Sequence, residues 1–284
     1  MTVSDTPSIS SSPGASPEPS SGPALGSSSL PEYRDIWTNT LGWAPSDRQQ
    51  DHFQRLYSHI CQGNRAFNLT RITDPGEFWE KHLWDSLSGI QPFLCQSSES
   101  IDDPKKTDPQ KLDSKKYYVL DIGSGAGFPG LPIAIACPHW SVTLLDSTRK
   151  KMAFVESILP ELGVNNVRTV TDRAEALGHN SDHRQRYNLV VIRAVASAAA
   201  CAEYAIPFLK LNGQAVLYRG RWAEAELVEL KRALKVLGGT IDEIRALSTP
   251  LTGSDRHCIA IRKVSKTPKT FPRAVGVPAK TPIS

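Results

Sequence analysis

From Tyr117 onward the chain alternates short apolar runs with stretches of helical spacing, and no other feature limits the possible folds as tightly. The runs at 117–122, 141–145, 166–170, 188–193 and 214–219 have the length of strands and are too short for helices. The intervening segments near 129–137, 148–162, 197–209 and 222–237 are long enough for right-handed crossovers. Successive strands are therefore expected to lie parallel, with helices covering the sheet. Two later runs, 240–247 and 257–263, have no long helix between them, which predicts a closing antiparallel pair. The expectation is an α/β domain over 117–264 built on a mostly parallel seven-stranded sheet. No internal repeat is visible.

Ahead of this domain lies a smaller helical region, 32–95. Ser46 followed by Gln49 makes a capping box, and Phe53, Leu56, Tyr57, Ile60 and Cys61 recur at helical spacing. Asp74-Pro75-Gly76-Glu77 gives a second start signal ahead of Phe78, Trp79, His82, Leu83, Ser86 and Leu87. Residues 96–116 carry two prolines and no apolar period, and are expected to be a linker or surface insertion. The segment 1–31 is different again. Its first thirty residues hold eleven serines and five prolines, too little apolar surface to offset the entropy of ordering, so it is expected to be a disordered tail.

Several function classes are disfavoured. The N-terminal tail has neither the basic start and apolar run of a secretory signal nor the arginines of a transit peptide, and no run of ~18 apolar residues occurs. A cytoplasmic protein without membrane association is expected. Five scattered cysteines form no C-x-x-C pair, so neither a disulfide framework nor a zinc site is indicated. His179 and His183 are four apart but sit in a polar stretch that reads as loop, and His82 with Asp85 reads as an intrahelical pair or a buried contact. A monomer without a metal is expected.

The loop after the first run, Asp121-Ile-Gly-Ser-Gly-Ala-Gly-Phe-Pro-Gly, has two readings. Taken from Gly125 it is G-x-G-x-x-G, a dinucleotide fingerprint. Taken from Gly123 it is G-x-G-x-G with an aspartate two residues ahead. Pro129 and Pro132 delay the helix that a pyrophosphate would need, and the dinucleotide register gives Asp121 no role. In the second register Asp121 accepts from an ammonium, which S-adenosylmethionine has and a dinucleotide lacks. Asp146 closes the next strand where a carboxylate grips ribose hydroxyls. After the third strand, Glu175 and the backbone of Ala174 stand where they reach an adenine. Three acids at three successive strand ends favour the methyl donor, with each acid alone explicable as a helix cap.

The fourth strand carries neither the N/D-P-P-aromatic motif of exocyclic amine methylation nor a Pro-Cys nucleophile, so no catalytic residue is identified. An acceptor such as guanine N7 has a free lone pair and no proton to lose, so proximity and orientation suffice. Arg193 has three open roles: a ligand carboxylate, an RNA phosphate, or neutralisation of Asp121 or Asp172. Arg149, Lys150, Lys151, Arg173, Arg193, Arg219 and Arg221 follow strand ends or open helices, a basic rim suited to a phosphate backbone. From Arg262 on there are six basic residues and no acidic one. The tail 265–284 interleaves Lys266, Lys269, Arg273 and Lys280 with Phe271 and four prolines, and is expected to lie extended on RNA rather than pack on the body.

Taken together, the segments 68–87, 121–134, 142–155, 172–177, 191–197 and 271–283 resemble the bacterial 16S rRNA (guanine-N7) methyltransferase G family, also called the glucose-inhibited division protein B family. The resemblance implies a class I S-adenosylmethionine-dependent methyltransferase, Rossmann-like, that methylates guanine N7 in the helix-18 loop of 16S rRNA, on naked RNA or the small subunit. By motif position it implies cofactor contacts at Gly123, Phe128, Asp146, Ser147, Thr148, Ala174, Glu175 and Arg193, beside the Asp121 and Gly125 of the loop reading. Arg149-Lys150-Lys151 stands where the family usually has a Lys-Arg pair, and Arg219 replaces a lysine before Gly220. Charge is kept while donor geometry changes. Two alternatives stay open from the residues alone, a nicotinamide oxidoreductase and a non-catalytic RNA-binding or assembly protein.

Overall fold

The computed structural model describes residues 1–3, 29–94 and 116–283, so most of the expected N-terminal tail and of the 96–116 insertion lies outside the described residues. Seven strands form one sheet of order β3-β2-β1-β4-β5-β7-β6: β1 Tyr117–Ile122, β2 Trp140–Asp146, β3 Val167–Thr171, β4 Tyr187–Arg193, β5 Leu209–Arg219, β6 Gly239–Ser248 and β7 Asp255–Lys263. The pairs among β1 to β5 are parallel, and β7 runs antiparallel between β5 and β6. Each expected strand is present. β5 begins five residues early, because Leu209 pairs with Tyr187 before the register shifts at Leu189. Asn212 in that stretch adopts a left-handed backbone beside Gly213, so the strand is irregular there.

Alternate residues of the strands serve two cores. Val119 and Val142 face one, together with the helical region; Leu120, Ile122 and Ile192 face the other, under the crossover helices near 198–205 and 224–237. The N-terminal helices therefore share a core with the sheet. They are α1 Arg34–Leu41, α2 Asp47–Phe67, α3 Pro75–Phe78, a π-helical stretch Trp79–Trp84, α4 Asp85–Ser88 and α5 Gln91–Leu94. The Ser46 capping box forms as expected: Ser46 Oγ accepts from Gln49 N at 3.4 Å and Gln49 Oε1 accepts from Ser46 N at 2.9 Å. The Gln49 amide also donates to the carbonyls of Ile135 and Ala136, fixing α2 to α6, Gly130–Ala136. Asp74 caps α3 through Glu77 N at 2.9 Å, with Pro75 at the first turn.

Helix α1 has no such signal. Its N-cap is Tyr33, left-handed and without a side-chain bond, so it is held by burial of Trp37 and Leu41. Trp37 packs edge-on to Trp79 with ring centroids 4.7 Å apart. Burying side chains of this size contributes about 1.5–3 kcal/mol each, enough to hold a short helix without a cap. The remaining helices are α7 Arg149–Leu162, α8 Ala174–Leu177, α9 Ala198–Ala205, α10 Glu224–Leu237 and α11 Val277–Lys280. No helix among the described residues is long and apolar enough to cross a membrane.

The C-terminal segment overturns its expected course. It folds back on the body: Phe271 packs against the second core, and Arg273 forms a two-pronged pair with the fully buried Glu203 of α9, Nη2 to Oε2 at 2.7 Å. Arg184 donates to the carbonyls of Gly178, Phe271 and Pro268. The acid that neutralises Arg273 lies 70 residues earlier, so it is invisible to a reading of the tail's own charges.

Candidate functional site

The order of the sheet reverses between β1 and β4, and the loops leaving their carboxyl ends open a crevice there. The glycine loop follows β1. Gly123 N donates to Leu145 O at 2.8 Å, which draws the loop over the end of β2. Gly123 has φ +74°, and an added Cβ would stand 2.6 Å from Val195 Cγ2 in the loop after β4, so only glycine lets the two loops meet. At Gly125 an added Cβ would meet nothing closer than 4.0 Å, so the backbone there faces open space that a side chain would fill.

The three acids stand at the expected strand ends in three different environments. Asp121 is fully buried. Its Oδ2 accepts from Gly130 N at 2.8 Å at the start of α6, and its Oδ1 has no hydrogen-bond partner. Burial raises its pKa to about 7, against the pull of the Gly130 amide and the Arg193 charge. Asp146 is half-buried. One carboxylate oxygen accepts from Gly125 N at 2.9 Å and the other from Thr148 N at 2.8 Å, which ties the carboxylate to the glycine loop and to the start of α7. Ser147 and Thr148 beside it are exposed. Glu175 is buried in α8 next to Ala174, and its Oε1 accepts from Gly276 N at 2.8 Å and from Arg173 at 3.3 Å. Those bonds hold its pKa below the usual value although burial pushes the other way.

Arg193 lowers the pKa of Asp121 through its charge, while its hydrogen bonds go to groups of the helical region. Nη1 donates to Asp85 Oδ2 at 2.9 Å and to Lys81 O at 2.8 Å, and Nη2 faces His82 Nδ1 at 3.4 Å. Asp85 also receives Arg256 Nε at 3.0 Å, so one buried carboxylate from α4 spans guanidiniums on β4 and β7. His82 stacks on Phe128 of the glycine loop at 4.4 Å and 17°, and its other ring nitrogen meets Thr70 Oγ1 at 2.9 Å. Burial and the Arg193 charge lower its pKa to about 3, so the ring is neutral near pH 7. Glu80 anchors the π-helical stretch from behind, accepting from Leu251 N, Thr252 N and the Thr252 hydroxyl. A π-helical turn carries this arrangement, a common feature of functional sites.

These groups line a cleft of about 420 Å³ at the ends of β4 and β5, bounded by Lys81, His82, Asp85, Arg193, Arg219, Arg221 and Arg256. Among the described residues Asp85 is its one acid. Ala194 at the rim has φ +56°, a left-handed conformation rare for a residue with a Cβ.

Sequence reasoning placed Asp121, Gly123, Gly125, Phe128, Asp146 and Arg193 around one crevice, and the structure brings them together. It set His82 and Asp85 aside as a local or buried contact. They are buried, and they also wall the cleft; only their spacing of three was visible, since Arg193 and Arg256 lie 108 and 171 residues from Asp85. Of the cations expected to meet RNA, Arg149 and Lys150 are exposed. Arg219 and Arg273 are each paired with a carboxylate. Arg219 pairs with Glu226 and donates to Ala196 O at the edge of the cleft, and Arg273 is held by Glu203. His179 and His183 bind Pro272 O and the Tyr187 hydroxyl separately, and no cluster suited to a metal occurs among the described residues.

A parallel sheet with a reversed β7, a glycine loop after β1 and carboxylates closing β1 and β2 defines a class I methyltransferase. A family model described as "GidB: rRNA small subunit methyltransferase G" matches residues 49–103 and 108–259. The chain is 53% identical over 257 residues to a ribosomal RNA small subunit methyltransferase G of Trichormus variabilis, covering 89% of this chain and 98% of that one. It is 47% identical over 247 residues to the protein of that name from Synechococcus elongatus, covering 87% and 95%. It belongs to the rRNA small subunit methyltransferase G family. Its methyl donor is S-adenosylmethionine.

The crevice suits that donor. The unpaired Asp121 Oδ1 is a buried acceptor beside the glycine loop, and the open space over Gly125 admits a ligand against the backbone.

Proposed function

We propose that the protein methylates N7 of a guanine in the helix-18 loop of 16S rRNA, acting in the cytoplasm as a monomer without a metal. The observation that carries this reading is a strongly basic cleft that offers no available general base. His82 is the one histidine on its wall among the described residues, both its ring nitrogens are engaged, and it is a very weak base. An acceptor that must lose a proton would find no group to take it, whereas an aromatic nitrogen with a free lone pair needs only alignment.

Gly123, Gly125 and Phe128 form the floor for the donor. Asp121 accepts from its ammonium, and Asp146 with the Ser147–Thr148 turn holds ribose hydroxyls. Ala174 and Glu175 meet the adenine. When bound, S-adenosylmethionine supplies a methyl group on a sulfonium that departs as a neutral thioether. Arg193, fixed by Asp85 and stacked near Phe128 at 5.9 Å, separates the donor floor from the acceptor cleft. Lys81, Arg221 and Arg256 face the cleft where an RNA phosphate would approach, with Arg149 and Lys150 on the adjoining surface.

The test is to map N7-methylguanine along 16S rRNA from cells with and without the gene. Loss of one modified guanine in the helix-18 loop, restored by the purified protein with S-adenosylmethionine, is expected. An unchanged map, or a modified base elsewhere, would overturn the assignment of acceptor.

A further inference from the structure

The segment that follows β7 is tied to the same loop that carries Ala174 and Glu175. Three contacts converge there. Gly276 N donates to Glu175 Oε1 at 2.8 Å, His179 Nε2 meets Pro272 O at 2.7 Å, and Arg184 reaches Gly178 O at 2.8 Å and Phe271 O at 2.7 Å. The fit is close. A Cβ added at Gly178 would stand 2.7 Å from Pro272 Cγ, so that glycine lets the two chains touch. The whole segment is anchored from below by Arg273 on the buried Glu203.

The Glu175 carboxylate is buried, and a buried charge needs hydrogen bonds to hold one orientation. Apart from Arg173, whose side chain is about half exposed, its cross-chain donor is the Gly276 amide. Gly276 presents that amide because its backbone is left-handed, φ +81°, at the start of α11.

We propose that residues 271–280 form the outer wall of the adenine end of the donor site, with Gly276 as a positioning residue for Glu175. This rests on the assignment of Ala174 and Glu175 to the donor. The segment replaces part of a pocket that the sheet alone leaves unfinished: the loop after β3 is short, and it borrows its rigidity from the chain's last turn.

The test compares wild type, a chain ending at Ala274, and Gly276→Pro, which removes the amide proton and forbids the positive φ. Affinity for S-adenosylhomocysteine is measured by calorimetry, alongside circular dichroism and the salt dependence of RNA binding. Both variants are expected to stay folded, because Arg273 and Phe271 remain, and to bind S-adenosylhomocysteine at least tenfold more weakly. Their RNA salt slopes should stay close to that of wild type. Hydrogen exchange at residues 174–178 should rise in both. Tight binding by both variants would overturn the proposal. If the shortened chain unfolds, Gly276→Pro decides alone. If wild type itself fails to bind, the donor assignment falls and the proposal with it.

Discussion

Replacing Asp121 with asparagine is expected to make the protein more stable and worse at binding its donor. Asp121 is fully buried with one bonded and one unpaired oxygen, and burial moves its ionisation from 3.8 to about 7. Ionising such a group in the folded state costs about 4 kcal/mol relative to the unfolded chain, at 1.36 kcal/mol per pH unit. The sign follows from a folded pKa raised above the unfolded one. Below pH about 4 the carboxyl is protonated in both states, the ionisation contributes nothing, and the asparagine variant should be no more stable than wild type. Between about 4 and 7 the wild type loses stability as pH rises, and above 7 the gap is constant. Asparagine keeps the acceptor for Gly130 N but places an amide N–H without an acceptor where Oδ1 stood, at a cost of about 1–2 kcal/mol. A net gain of about 2–3 kcal/mol at pH 8 remains, or roughly 5–10 °C in Tm for a chain of this size. Thermal melts of both proteins from pH 5 to 8.5 measure it, and calorimetry with S-adenosylhomocysteine at pH 8 should show at least a tenfold loss for the variant. A variant less stable than wild type at pH 8, or a gap that does not change between pH 5 and 7, would refute the burial argument. Unchanged donor affinity would leave Asp121 as a cap for α6 alone.

Asp85→Asn removes the charge shared by Arg193 and Arg256, each a charge-assisted bond of about 1.5–3 kcal/mol, and should lower methyl transfer to small-subunit RNA by 10- to 100-fold while circular dichroism is unchanged. Unimpaired transfer would mean that the two guanidiniums need no fixed spacing. The double change Arg149→Ala with Lys150→Ala should reduce the log-log salt slope of RNA binding by up to ~1.8 and leave S-adenosylhomocysteine affinity intact; an unchanged slope removes both residues from the interface. Glu80→Ala deletes the acceptor for two backbone amides and a hydroxyl at residues 251–252, and should cost about 3 kcal/mol in urea melts with faster exchange at the Leu251 and Thr252 amides.

What the sequence made legible is what depends on neighbours along the chain. Alternating apolar runs gave the strands because side-chain period and run length are local properties, and the capping signals at Ser46 and Asp74 gave helix starts because a cap bonds its own first turn. The glycine loop was legible for the same reason: the strand, the turn and the acid that define it lie within ten residues. Helix α1 was missed because it has no cap and depends on Trp79, far along the chain.

Charges behave differently, because a cation's partner is chosen by the fold. Arg193, Arg219 and Arg273 have no acidic neighbour in the chain, yet each meets a carboxylate in the structure, Asp85, Glu226 and Glu203. A guanidinium near a sheet end is costly to bury without such a partner, so the carboxylate decides whether the arginine faces solvent or the interior. The run of six cations from Arg262 on is therefore no measure of the charge this end of the molecule presents to RNA. Arg262 and Arg273 are spent on Asp242 and Glu203, and Lys263 is buried against the carbonyls of Ile206 and Leu209, which leaves Lys266, Lys269 and Lys280. With two of the six cations paired and a third buried, the segment presents little of its formal charge, and its shape fits it to the proposed wall of the donor site.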